Sequence, residues 1–337
     1  MANLVFVVLI WVAGSLVAER WWPCAIIAYV PQLPFGAPTV VLLAWAAWKR
    51  DRLSAGVTAL TALLFVLGPM DLKVRQSSAH EGAALRVMTY NIRGGTWRLD
   101  HVLATIREAR PDVVCLQEAQ LHTDLRSREL ERRIREGLPG YVGHRCESIM
   151  TLARTETVSF DDERLMVGRR SRPIVWATVR SGPREVTIGN VHFVLSSPMG
   201  SVRTIGLRRY VEQAVEVRMA QARALRAAAR RHREPLILCG DFNTPPRGLV
   251  YRMLAAGWTD AFGAVGTGFG CTFASPMPVL RIDYVWLSGD IKPVRTMVPA
   301  ATGSDHRPVI ADVALPRAGN GPPRLQPPAD SGPQPVE

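Results

Sequence analysis

Three stretches without an Asp, Glu, Lys or Arg open the chain: residues 1–18, 21–48 and 53–70. A bilayer-spanning helix takes about 17–25 apolar residues, so the first and third just qualify. The second carries Pro31, Pro34 and Pro38. It is long enough to span even if its Pro-rich first half is a loop or an interfacial segment. Trp21 and Trp22 suit a membrane–water boundary. A water-soluble helical hairpin is disfavoured, because none of these stretches has a polar face to give to water. A cleaved signal peptide is the alternative for residues 1–18, which lack a basic n-region. The expectation is a multi-pass protein of the cytoplasmic membrane, with about three transmembrane helices in residues 1–70.

Lys49, Arg50 and Arg52 lie between the second and third stretches and mark that loop as cytoplasmic. The third helix then delivers the rest of the chain outside. Lys73 and Arg75 follow that helix and pull the other way.

The formal charge of the 337-residue chain is +12. A basic surface favours anionic partners such as nucleic acid, anionic lipid or phosphorylated metabolites. Only three of the 41 basic residues are Lys, however. Genome composition produces such a bias as readily as function does, so charge does not assign a partner here. Of the five cysteines, Cys115 and Cys239 sit inside apolar strand-like runs and read as buried free thiols. The spacings contain no CxxC or Cys/His zinc pattern.

Residues 71–84 read as a linker. From Leu85 the pattern changes to short runs bounded by Gly, Pro, Asp or Asn: LRVMTYNI, DVVCLQE, IVWATVR, EVTIGNVHFVL, PLILCGDFN, RIDYVWLS and PVIADVAL. Helical periodicity covers about 98–109 and 207–232, the latter with Leu207, Val211, Val215, Ala222 and Leu225 on one stripe. Many strands with few helices predict a layered α/β or α+β domain over residues 85–316. Residues 317–337, rich in Pro and Gly, read as a disordered tail.

Polar residues recur at the ends of the apolar runs. Asn91 ends one and Glu118 another; His192 sits inside GNVHFVL; Asp241 and Asn243 close LILCGDFN; Asp283 begins IDYVWL; Asp305 and His306 precede the last run. A lone Asp or Asn at a strand end is explained by turn formation. A whole series of them beside a core is not, because a buried charge costs several kcal/mol unless paired or bound to metal. As chemistry the set is coherent. Asn91, Glu118 and Asp305 supply oxygen ligands suited to Mg²⁺ (or Mn²⁺), with room left for a phosphate. Asp241 can orient or deprotonate water, Asn243 can fix that water and a phosphate oxygen, and Asp283 can hold His306 in one tautomer.

The order YN…QE…NVH…GDFN…RIDYV…SDHRPV resembles the endonuclease/exonuclease/phosphatase superfamily, over roughly Leu85 to Leu315. The resemblance implies a four-layer sandwich, two facing β-sheets flanked by helices, and a metal-dependent phosphoric ester hydrolase. It makes Glu118 the main metal ligand supported by Asn91, with Asp305 assisting. Asp241 handles the nucleophilic water, Asn243 binds phosphate beside it, Asp283 and His306 form a pair, and His192 contacts the scissile phosphate. Membrane helices joined to this domain are similar in arrangement to the superfamily's glycopeptide-resistance membrane proteins. SIMTLAR (148–154) departs from the superfamily's usual Gly-x-x-x-x-Ser-Arg strand, with Ser148 and Ala153 in place of its small and polar positions. The substrates implied are lipid-linked phosphate or nucleic acid, the former favoured by three passes that hold the site near a bilayer; no obligate protein partner is inferred. A catalytically silent scaffold is opposed by the intact set of ligands and acid/base groups. A non-catalytic nucleic-acid binder has only the basic helix in its favour.

Overall fold

Strands buried on both faces build the domain from Leu85 onward. The structure, a computed structural model, describes residues 1–74, 85–121, 123–167, 170–193, 202–232 and 235–315. Its strands are β1 (Lys73–Val74), β2 (Leu85–Asn91), β3 (Val113–Gln117), β4 (Val142–Cys146), β5 (Ile149–Ala153), β6 (Thr157–Val167), β7 (Arg170–Ser181), β8 (Arg184–His192), β9 (Leu236–Asp241), β10 (Thr259–Asp260), β11 (Thr267–Gly268), β12 (Asp283–Leu287), β13 (Lys292–Met297) and β14 (Val309–Ala314). They form two six-stranded sheets, ordered β10-β12-β9-β8-β7-β6 and β13-β14-β2-β3-β5-β4. The helices are α1 (Ala2–Val12), α2 (Trp22–Tyr29), α3 (Ala37–Lys49), α4 (Arg52–Leu67), α5 (Leu99–Ala109), α6 (Asp124–Gly137), α7 (Val202–Ile205), α8 (Leu207–Ala229), α9 (Gly248–Ala255) and α10 (Ala261–Val265).

Alternation along the strands generates the layers. Val87, Val113 and Cys115 from one sheet meet Ile188, Ile237, Cys239 and Val285 from the other in the central core. The intervening Met88, Tyr90, Val114 and Leu116 pack outward against α5 and α6 through Val102, Ile106, Leu130 and Ile134. On the opposite outer face, Trp176, Leu238 and Trp286 pack against Ala222, Leu225 and Leu254 of α8 and α9. The result is the four-layer sandwich, with Cys115 and Cys239 as buried free thiols.

Two parallel pairings aim the fold's chemistry at one edge. β2 runs parallel to β3 with Asn91 opposite Gln117, and β8 runs parallel to β9 with His192 opposite Asp241. β12 is antiparallel to β9 and sets Asp283 opposite Asp241. Carboxyl ends of parallel strands from both sheets therefore open on the same side, where open α/β sheets place their ligand crevices.

The N-terminal segment differs in detail from the expected three spans. Among the described residues, Ala2–Arg20 alone is long and apolar enough to cross a bilayer by itself. The second stretch is a bent pair: Trp22–Tyr29 and Leu33–Lys49 meet at 92°. The third gives only the 16-residue α4, about 24 Å long against a hydrocarbon core of about 30 Å. The start of the expected linker belongs to the fold. Lys73–Val74 pairs with Thr267–Gly268, and Asp71 lies 3.3 Å from the buried Arg281 guanidinium. The remainder of that linker and the expected tail lie outside the described residues.

Candidate active site

At the open edge the predicted residues converge. The Asn91 side-chain amide donates to Glu118 Oε1 and to Asp241 Oδ2, both at 3.0 Å, which joins the two sheets across the site. His192 Nε2 lies 3.6 Å from Asp241 Oδ2 and 3.9 Å from Glu118 Oε1. The loop after β9 brings Asn243 Nδ2 within 3.5 Å of the same imidazole nitrogen, and that amide also donates to the Phe193 carbonyl at 2.6 Å. His306 Nδ1 meets Asp283 Oδ2 at 2.9 Å, while its Nε2 is 3.7 Å from Asp241 Oδ2.

Backbone conformation at two of these positions is costly. Glu118 has φ +54° and Asn243 φ +47°, a left-handed region that Asn tolerates and Glu rarely adopts. Such strain costs about 1–3 kcal/mol per residue and clusters at functional sites. It turns the Glu118 carboxylate out of β3, leaving it 42 % exposed at the mouth, whereas Asp241 and Asp283 are buried. Gly240 precedes Asp241 at φ +156°, and a Cβ there would run into the Val191 carbonyl of the parallel strand. Only glycine lets β8 and β9 close up just beneath the site.

Burial and charge set the protonation states. Burial, and then the Asp283 charge, push Asp241 up to about 7 despite the opposing pull of His306. His306 is also buried, which disfavours its charge, yet Asp283 and Asp241 outweigh that and hold it at about 10. Burial takes His192 down to about 4, so it is neutral at pH 7. An imidazolium, a neutral imidazole and a carboxylate poised near neutrality thus share one pocket.

Asp305 pairs with a cation of the loop after β2. Its carboxylate is 3.1 Å from the Arg93 guanidinium and accepts from the Ser304 hydroxyl at 3.2 Å. Among the described residues, Asp241, Asp283 and His306 form a carboxylate–imidazole group whose ligand atoms lie within 4.8 Å of one another. The donor set fits a divalent cation. Asp241 and Asp283 flank His306, and buried Asp283 Oδ1 has no hydrogen-bond partner among the described residues.

Several positioning residues escaped the sequence reading. Gln117 donates to Asn190 Oδ1 at 2.7 Å and to Thr89 Oγ1 at 3.0 Å, and Asn190 donates to the Leu116 and Met150 carbonyls. This buried polar network pins the two sheets together directly under Glu118 and His192. Its signal was present: Gln117 adjoins Glu118, and Asn190 lies two residues before His192, so both point into the apolar core. Thr272 receives the backbone N–H groups of Ile282 and Asp283 and sets the start of β12.

A family profile described as "Endonuclease/Exonuclease/phosphatase family" matches residues 88–306. The chain belongs to this family. No curated protein matches it. Solved structures of the family share the fold over 68% of this chain. An endonuclease/exonuclease/phosphatase family protein from Leptotrichia buccalis superposes with a TM-score of 0.53 at 16% identity over 100% of its own length. The mannosyl-6-phosphatase of Bacteroides thetaiotaomicron gives a TM-score of 0.53 at 19% identity, again over its whole length. D. rerio TDP2 complexed with a single-strand DNA product gives 0.52 at 16% identity over 99% of that chain. At such identities the likeness concerns the fold alone. The matched region is the sandwich and leaves the apolar N-terminal segment of this member outside it.

Proposed function

We propose that the protein is a divalent-metal-dependent hydrolase of phosphate esters, anchored in the cytoplasmic membrane with its catalytic domain on the outer side. The observation that carries the hydrolase reading is the convergence of Glu118, Asn91, Asp241, His192, Asn243 and the Asp283–His306 pair at one edge of both sheets. Glu118, with Asn91 beside it, would hold Mg²⁺ or Mn²⁺; when bound, the ion supplies positive charge for the phosphoryl oxygens. Asp241, held near neutrality, accepts the proton of the attacking water, the protonation range a general base needs. His306 stays protonated and neutralises charge gathering on the phosphoryl group. Asn243 and neutral His192 orient the phosphate between them. Asp305, salt-bridged to Arg93, assists the cation from the rim, the role its motif suggests.

The membrane reading is supported by exposed apolar side chains on every long helix of the N-terminal segment. Leu9, Val40, Trp45, Leu53 and Leu63 are all more than half exposed. Patches of that kind mark contact with lipid or another protein. The orientation is supported by charge and geometry together. The C-terminal end of α4 leads into Asp71 and β1 on the catalytic domain, whereas the Lys49–Arg52 loop lies a helix length away at the other end. The deciding test is a panel assay of the purified protein with Mg²⁺ or Mn²⁺ against plasmid DNA, RNA, sphingomyelin, polyprenyl phosphates and inositol phosphates. Turnover that disappears with a chelator and returns with metal is expected. Full turnover in excess chelator would overturn the mechanism.

A further inference from the structure

The stripe along α8 has two fates. Its second half, Ala222 and Leu225, is buried against the sheet. Its first half is not: Leu207 is 49% exposed, and with Val211 and Val215 it lines a cavity of about 710 Å³. The opposite wall comes from the N-terminal segment, through Ile26 of α2 and Val30 just beyond it. A volume of this size is typical of a small-molecule site.

The inner end of the cavity is the active site. Asn243 itself contributes to the lining, as do Ile282, next to Asp283, and Phe273, whose ring centroid is 4.9 Å from that of His306. Arg218 ties the two walls at this point. Its guanidinium lies 4.1 Å over the Tyr29 ring, and its Nε donates to the Asn243 carbonyl at 3.1 Å. The wall facing α8 belongs to the apolar segment, through Ala25, Ile26, Tyr29 and Val30. Because α2 lies at 92° to the helix that follows it, a bilayer crossed by α3 would hold α2 along its surface, with Trp21 and Trp22 at its start. The groove therefore runs from lipid level to the phosphate-binding asparagine.

A groove lined mainly by apolar side chains, with Arg203 and Arg218 among them, that begins at lipid level and ends among phosphate-directed groups fits one kind of occupant. We infer that the groove between α2 and α8 holds the hydrocarbon chain of a single-chain lipid phosphate ester whose phosphate sits at Asn243 and His192. This rests on the phosphate-ester hydrolase reading of the same site and narrows it to an amphiphilic substrate drawn from the membrane. Nucleic acid has no part that would use such a groove.

The test uses the full chain in lipid nanodiscs. A hexadecyl phosphate carrying a diazirine in its chain is photoactivated with chelator present, and labelled peptides are mapped by mass spectrometry. Labelling of residues 22–30 and 207–218 is expected, reduced about tenfold or more by Val211→Trp, which fills the groove. Ala214→Leu serves as a smaller obstruction should the first variant fail to fold. Label confined to residues 2–12, 37–49 and 52–67, or groove label indifferent to both substitutions, overturns the proposal. Turnover of butyl, octyl and hexadecyl phosphates with Mg²⁺ is measured in parallel. Each methylene seated in the groove should raise kcat/KM about fourfold, referred to free substrate. Groove labelling without turnover of any ester would overturn the hydrolase reading and leave the groove. Turnover without chain-length preference or groove label would do the reverse.

Discussion

Glu19 holds the first turn of α9: its carboxylate accepts the backbone N–H of Leu249 at 2.6 Å and that of Val250 at 3.3 Å. Here an acidic residue from the apolar N-terminal segment satisfies donors that a helix start leaves unpaired. Tyr29 donates to the same carboxylate, and Arg252 of α9 reaches back to the Ser15 carbonyl. Gly248 leaves room for this clasp, since a Cβ there would sit 2.6 Å from Glu19 Oε2. Glu19→Ala should cost about 1–2 kcal/mol, the usual loss for a helix cap. Gly248→Ala should loosen the same contact by crowding. Faster hydrogen exchange of residues 248–255 in both variants is the measurement. Unchanged exchange would mean that the segment is not held through Glu19.

The acid/base groups should act as a unit. Asp241→Asn and His306→Ala are each expected to lower kcat by roughly 10²–10⁴. Their double substitution should cost less than the product of the single losses, because Asp241 and His306 share one pocket at 3.7 Å. Multiplicative and modest effects would place the two residues in different roles. Glu118→Gln should instead raise the metal concentration needed to reach a given rate.

Stability should respond to pH with a definite sign. The folded-state values of Asp241, about 7, and His306, about 10, both lie above those of the unfolded chain, about 3.9 and 6.5. The folded metal-free protein therefore holds more protons, and its stability falls as pH rises. For Asp241 the contribution is complete below about 3.9 and is lost as pH climbs through 7. For His306 it is complete below about 6.5 and is lost through 10. Asp241→Asn should accordingly stabilise the metal-free protein at pH 8, with the advantage vanishing on acidification. Thermal melts at pH 5 and pH 8 decide it; equal shifts at both would refute the assignment.

Topology can be read with two reporters. One that works only outside the cytoplasm, fused after residue 316, should be active, and a cytosol-only reporter at that point silent. Fusions within residues 49–52 should give the opposite pair. A cytosolic signal from the C-terminal fusion would remove the outer placement and leave the chemistry intact.

Apart from β5, which only the family resemblance picked out, the central strands were legible in the sequence and the edge strands were not, for one physical reason. Every run picked out by its hydrophobicity became a strand buried on both faces or nearly so, as in β3 and β9. The missed β4, β6 and β13 are the outermost strands of their sheets or lie at an outer edge, with compositions such as TVSFDDERLMV that keep one side wet. Helix α6 was missed because only Ser127, Leu130 and Ile134 of its fourteen residues are buried. The site was legible because its residues stand where apolar strands end. What the sequence could not reveal was pairing across the site: that Asp305 would take Arg93 as its partner, or that Gln117 and Asn190 would lock the sheets.

The clasp at Glu19 and the Arg218–Tyr29 contact fasten one end of the segment; the Asp71–Arg281 pair, with the short β1–β11 ribbon beside it, fastens the other. A body fastened at two points cannot swivel as one on a single tether can. With residues 1–70 in a bilayer, the catalytic mouth is kept at a fixed height and tilt above the lipid plane. For a substrate that itself resides in the leaflet, as proposed above, encounters would then be set by lateral diffusion, and the relevant concentration would be the mole fraction of substrate in that leaflet. Diluting that leaflet with inert lipid slows such an enzyme, even when the amount of substrate per volume of solution is unchanged.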